Sequence, residues 1–198
     1  MHIPNPVHTM IQSLHDACGF DLYKKTLDLN RNIVEDVGYQ RNFTNYYRVR
    51  RDAQWLREFY TYFESQKNNE DITFEEILRY LSNVEHTVKK TAKNPMGKAK
   101  TVDASFASKM LATINTNHPI WDSQVLRFLG IKINDGLNYD DKIEECIKIY
   151  QEIEERVAIF KSTEEGKRCI EVFDKTFPSC TDFSDYKKID FYLWNLGK

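Results

Sequence analysis

Glycine and proline are scarce in this chain, seven and five residues of 198. Those two residues supply most turns and strand ends, so a sequence that does without them runs mainly as helices. The apolar spacing agrees. Phe43, Tyr46, Tyr47, Ala53, Leu56, Phe59, Tyr60 and Phe63 recur in three- and four-residue steps and predict one long amphipathic helix. Ile143, Ile147, Tyr150, Ile153, Val157 and Phe160 make a further stripe. Thr73-Phe-Glu-Glu76 and Ser162-Thr-Glu-Glu165 have the form of capping boxes, in which hydroxyl and carboxylate satisfy each other's free backbone N–H groups. They open helices through Ile77, Leu78 and Leu81, and through Ile170 and Phe173. Pro178 follows where the latter should stop. Phe183, Tyr186, Ile189 and Leu193 predict a last helix.

Nothing alternates at period two, and there is no internal repeat. The lysine-rich stretch 88–100, with Pro95 and Gly97, has little to bury and is expected to be a mobile loop. The expected fold is therefore all-α: a helical bundle over 1–198 as a single domain, either one compact body or two lobes hinged near 88–102.

Hydrophobic residues at 41% and charged residues at 29% describe an ordinary globular chain, long enough to bury a core without covalent staples. A net charge of −2 does not mark a nucleic-acid partner, which only a local basic patch could do. Cys18, Cys146, Cys169 and Cys180 form no C-x-x-C pair and have no histidine at ligand spacing, so no metal site is expected and free thiols in a reducing compartment are the simpler reading. No cofactor motif is present, and nothing fixes an oligomeric state. The opening MHIPNPVHTM lacks a basic segment followed by an apolar run, and no stretch is long enough to span a bilayer. The expectation is a cytoplasmic protein with no membrane partner.

The segment 105–130, SFASKMLATINTNHPIWDSQVLRFLG, reads as a helix, a turn at Pro119 and a second helix opened by Asp122. Asp122 is a favoured N-cap, with Trp121 and Leu126 placed as a hydrophobic staple. The same carboxylate could also face a cleft and steady positive charge. Lys109 falls just outside the apolar arc of Phe106, Ala107, Met110, Leu111 and Ile114. There a lysine snorkels to water or, if desolvated, becomes a nucleophilic amine. Two basic groups suit phosphates. Arg48 and Arg51 accompany Trp55 and Tyr62 on one face of the long helix, and Lys89, Lys90, Lys93, Lys98 and Lys100 crowd the loop. The histidines are scattered, and only His118 lies near the helix junction. Asp190, between Ile189 and Phe191, suits a buried partner for an arginine.

His118-Pro-Ile-Trp-Asp122-Ser-Gln-Val-Leu-Arg127-Phe-Leu129 resembles the segment around the catalytic aspartate of the helix-hairpin-helix DNA glycosylases. Ser105-Phe-Ala-Ser-Lys109 is similar to the hairpin that carries the nucleophilic lysine of the eight-oxoguanine glycosylases. Ser105 and Ala107 stand where that hairpin has glycines, and the step from lysine to aspartate is shorter by about one helical turn. Ser-Lys-x-Leu and Pro-Ile-Trp-Asp together also resemble the signature of a bacterial family of uncharacterised role. The glycosylase resemblance implies Lys109 and Asp122 as catalytic residues in DNA repair. It implies Trp121, His118, Ser105 and Ser108 about the substrate. DNA would be held by Arg48, Arg51, Lys89, Lys90, Lys93, Lys98, Lys100 and Arg127. The alternative is a non-catalytic helical protein that binds nucleic acid or a protein partner.

Overall fold

The computed structural model describes residues 19–92, 94–134 and 136–196, so Lys93, Cys18 and three of the histidines (His2, His8 and His15) lie outside the described residues. The described chain is mostly helical. In order it runs α1 (Phe20–Thr26), α2 (Val37–Tyr47), α3 (Ala53–Gln66), α4 (Phe74–Asn83), β1 (Glu85–Thr87), β2 (Lys98–Lys100), α5 (Ala104–Ile114), α6 (Ser123–Leu129), α7 (Tyr139–Ser162), α8 (Glu164–Thr176), a 3-10 turn (Pro178–Cys180) and α9 (Asp185–Leu196).

The stripe that predicted one long helix is divided into α2 and α3. Arg48 ends α2 in the left-handed conformation, φ 53°. Asp52 then starts α3, its carboxylate accepting from the Trp55 N–H at 2.9 Å. The apolar period continues across the break because both helices bury the same kind of face. Phe43, Phe59 and Phe63 are fully buried and meet ring to ring. Each such phenylalanine withdrawn from water stabilises the fold by roughly 1.5–3 kcal/mol.

The Thr73 capping box forms as expected. The one at Ser162 does not form: the cap moves to Thr163, and Gly166 at the third helical position has no side chain to bond back. Ser162 closes α7 and donates back to the Ile159 carbonyl at 2.7 Å, while Thr163 caps α8 by accepting from the Gly166 N–H at 3.1 Å. Gly166 is required there, because a Cβ would sit 2.1 Å from the Phe160 carbonyl oxygen.

The segment 88–100 is not simply a loop. β1 pairs with β2 in antiparallel register, Glu85 opposite Lys100 and Thr87 opposite Lys98. Gly97, at φ +64° and with the Val88 carbonyl 3.0 Å from where a Cβ would stand, lets the hairpin close. Strands of three residues are too short to show alternation in sequence.

α1 packs on α2, α4 on α5 and α7, and α8 on α7. The last helix, α9, packs against α6, α7 and α8. Buried apolar side chains from Tyr23 to Leu193 form one connected cluster. Among the described residues no helix is long and apolar enough to cross a membrane.

Candidate active site

Lys109 and Asp122 are brought to one cavity. Ser105 to Lys109 is part of α5, as the helical reading of 105–130 expects, and not the hairpin that the glycosylase resemblance would place there. Its backbone is ordinary helix, so Ser105 and Ala107 need no glycine freedom. Lys109 projects from this helix and is 9% exposed. Its amine donates to the Ser105 hydroxyl at 2.9 Å and stands 5.5 Å from the Phe106 ring. It is not the surface lysine that projection of its own helix suggests.

Asp122 caps α6, its Oδ1 accepting from the Gln124 N–H at 2.9 Å. Three side chains fix the connection before it. Ser184 donates to the Thr116 carbonyl at 2.6 Å, Tyr150 to the Pro119 carbonyl at 2.8 Å, and the Trp121 N–H reaches the Ser108 hydroxyl at 2.9 Å. The carboxylate is thus held by bonds from α5, α7 and the start of α9, a rigid setting for a charged group.

The cavity is about 360 Å³ and is lined by Lys109, Asp122, Tyr46, Tyr47, Arg48, Ile120, Lys187, Asp190, Phe191 and Trp194, with Gly19, Leu22 and Asn45. Two amines and two carboxylates therefore share one concave space. Lys187 and Asp190 form a buried ion pair at 2.6 Å. The Lys187 amine also lies 4.4 Å from the Phe191 ring, 4.9 Å from Tyr23 and 5.5 Å from Tyr46. The buried partner of Asp190 is this lysine, not an arginine.

Burial pushes the Lys109 amine below the usual lysine range, against the pull of Asp122 and then Asp190; the Lys187 charge adds to the lowering. Burial works most strongly against the charge on Lys187, but Asp190 together with Tyr46, Tyr47 and Tyr23 outweighs it and keeps this amine well above the ordinary range. The Asp190 carboxyl is raised by its burial and held back by Lys187. One lysine is thus eased toward its neutral, nucleophilic form while its neighbour is locked as a cation.

The other expected site residues are dispersed. Trp121 is buried, its ring parallel to Phe74 with centroids 6.3 Å apart. With Ser105 it borders a separate cavity of about 270 Å³ that also touches Arg51, Asp103 and Cys146. Ser108 is fully buried as the acceptor for Trp121, so it cannot reach a substrate. His118 pairs with Glu154 at 2.9 Å and does not line the Lys109 cavity.

Of the basic residues, Arg48 is exposed and lines the cavity. Arg51 is engaged internally: its guanidinium pairs with Asp103 and lies 4.8 Å from the Phe106 ring and 5.6 Å from Trp55. Lys98 donates to Gln54 at 2.9 Å and Lys100 to Asn83 at 3.3 Å. Lys89 and Lys90 are exposed on the hairpin, and Arg127 is exposed on α6, donating to Gln124 at 3.0 Å. Lys187, Tyr46 and Trp194 are site residues that sequence reasoning passed over. The only signal was the three-residue spacing of Lys187 and Asp190 on the last helix.

Among the described residues no group of three His, Cys, Asp or Glu side chains gathers as a metal site. Burial pushes the Cys146 thiol up to about 11 and the Cys169 thiol to about 12, so neither is a ready nucleophile at neutral pH. Comparisons with protein-family models, curated proteins and solved structures find no match to this chain.

Proposed function

We propose that the protein is a base-excision DNA glycosylase with lyase activity, acting on damaged DNA through a Schiff base at Lys109. The observation that carries this reading is the shared cavity: a buried amine with a lowered proton affinity beside a capped, rigid carboxylate. A damaged nucleotide flips out of the duplex into this space, where Tyr46 and Trp194 supply aromatic walls. The neutral Lys109 amine attacks C1′ of the sugar and the bond from C1′ to the base breaks, the base leaving with a proton. That proton comes from the amine; the second amine proton passes to the ring oxygen O4′ as the C1′–O4′ bond breaks, giving the imine and an open-chain sugar hydroxyl. Loss of a C2′ proton then expels the 3′ phosphate and cuts the strand. The Asp122 carboxylate stabilises the cationic sugar. Phosphates are held by Arg48, which is exposed and lines the cavity, and by the exposed Lys89 and Lys90 of the hairpin.

The test is a panel of duplexes, each carrying one damaged base, incubated with the protein and borohydride to trap the imine. A covalent protein–DNA species is expected, and Lys109→Gln should reduce its formation roughly a thousandfold or more. No trapped species and no strand cleavage across the panel would overturn the lyase mechanism. Binding of the same duplexes without trapping would favour the non-catalytic alternative. A trapped species that survives Lys109→Gln would move the nucleophile elsewhere.

A further inference from the structure

The α9 pair deepens this reading, and the inference rests on it. Lys187 and Asp190 are a helical turn apart and bonded at 2.6 Å, and both side chains line the cavity that Lys109 enters from α5. A buried ion pair is weak evidence for stability, since apolar side chains often fill the same space at no loss. This one is also caged. The rings of Tyr23, Tyr46 and Phe191 surround the Lys187 amine and hold it in one place, while its carboxylate partner Asp190 lines the same cavity as Lys109.

We propose that Asp190 is a positioning residue for the Lys109 amine: an ionised carboxylate, anchored by Lys187, that governs from α9 when that amine gives up its proton. The groups facing Lys109 define the arithmetic. From α6 comes Asp122, from α9 come Asp190 and Lys187, and from α2 come Tyr46, Tyr47 and Arg48, with Ser105 on its own helix. The two carboxylates favour the protonated amine and Lys187 opposes it, the Asp190 effect exceeding that of Lys187. Removing Asp190 therefore takes away a stabiliser of the ammonium. The Lys109 amine then loses its proton at lower pH, whether Lys187 keeps its own charge or not.

The experiment reads the amine directly. Lys109 is acetylated by trace acetic anhydride across a pH series, and its labelling relative to an internal amine standard is quantified by peptide mass spectrometry. Asp190→Asn should move the labelling midpoint of Lys109 downward by about one pH unit, and Asp190→Glu should restore it. Asp190→Asn leaves Lys187 unpaired and can fail to fold, so the double variant Lys187→Met, Asp190→Asn is measured as well. With both charges gone its midpoint should still fall, by less than in the single variant. A midpoint that stays in place or rises in the folded variants would show Asp190 to be structural only. The labelling needs no DNA. A shifted midpoint without any trapped imine in the unmutated protein would therefore overturn the glycosylase reading and leave this inference standing. Trapping with an unmoved midpoint would do the reverse.

Discussion

At Asp122 one carboxylate caps α6 and faces the cavity of Lys109, and the two roles separate by substitution. Asn keeps the oxygen that accepts from the Gln124 N–H, whereas Ala removes it. Asp122→Ala should lower unfolding free energy by about 1 kcal/mol and Asp122→Asn by little, in denaturant titrations. On the glycosylase reading both should lose lyase activity, because both remove the charge. Lys109 makes a second residue-scale prediction. Its folded proton affinity lies below the 10.5 of an ordinary lysine, so the unfolded chain binds more protons in the window between those two values. Stability therefore rises with pH through that window. Lys109→Met should remove this rise, as read from unfolding free energies across a pH series. The cap at Asp122 is legible in sequence because capping depends on the next few residues alone. The burial of Lys109 is not, because its cover comes from α2 and α9.

Among the elements, the junction of α7 and α8 shows how a single glycine can set a corner. Gly166→Ala would place a methyl 2.1 Å from a backbone oxygen that cannot turn aside. The expected cost is about 3 kcal/mol of unfolding free energy, at the upper end for overpacking. The hairpin is tied to α3 through Asp52, which accepts from the Thr87 N–H as well as from Trp55. Those bonds, Thr87 first, hold its carboxyl down to about 2 against an ordinary 3.8. A depressed carboxylate stabilises the fold above its unfolded value, and that contribution disappears as pH falls through the folded one. The β1–β2 hairpin should thus loosen from α3 between about pH 4 and pH 2. Amide exchange at Thr87 would report this, and Asp52→Asn should abolish the pH dependence. Periodicity and caps located most helices, including α4, α7 and α9. The break at Arg48 leaves no mark in the sequence because the buried stripe keeps its phase across it, and the hairpin leaves none because its strands are only three residues long.

For the molecule as a whole, the basic residues divide by what already holds them. Arg51, Lys98, Lys100 and Arg127 have partners within the fold, whereas Arg48, Lys89 and Lys90 reach solvent. If the protein grips DNA by the hairpin, replacing both Lys89 and Lys90 with Gln should flatten the slope of log affinity against log salt by about 1.8. Arg51→Gln should leave that slope unchanged while lowering stability, since it leaves Asp103 buried without its partner. An unchanged slope for the lysine variant would place the DNA elsewhere or rule it out. The helices, most of their caps and their buried faces follow from the sequence alone, because each depends on residues within one or two turns of chain. The cavity does not. It exists because α9 brings Lys187 and Asp190 beside the Lys109 and Asp122 held by α5 and α6. Charge and desolvation act through space between elements that are remote in sequence, so only the tertiary structure decides which lysine is eased toward its neutral form and which is a fixed cation.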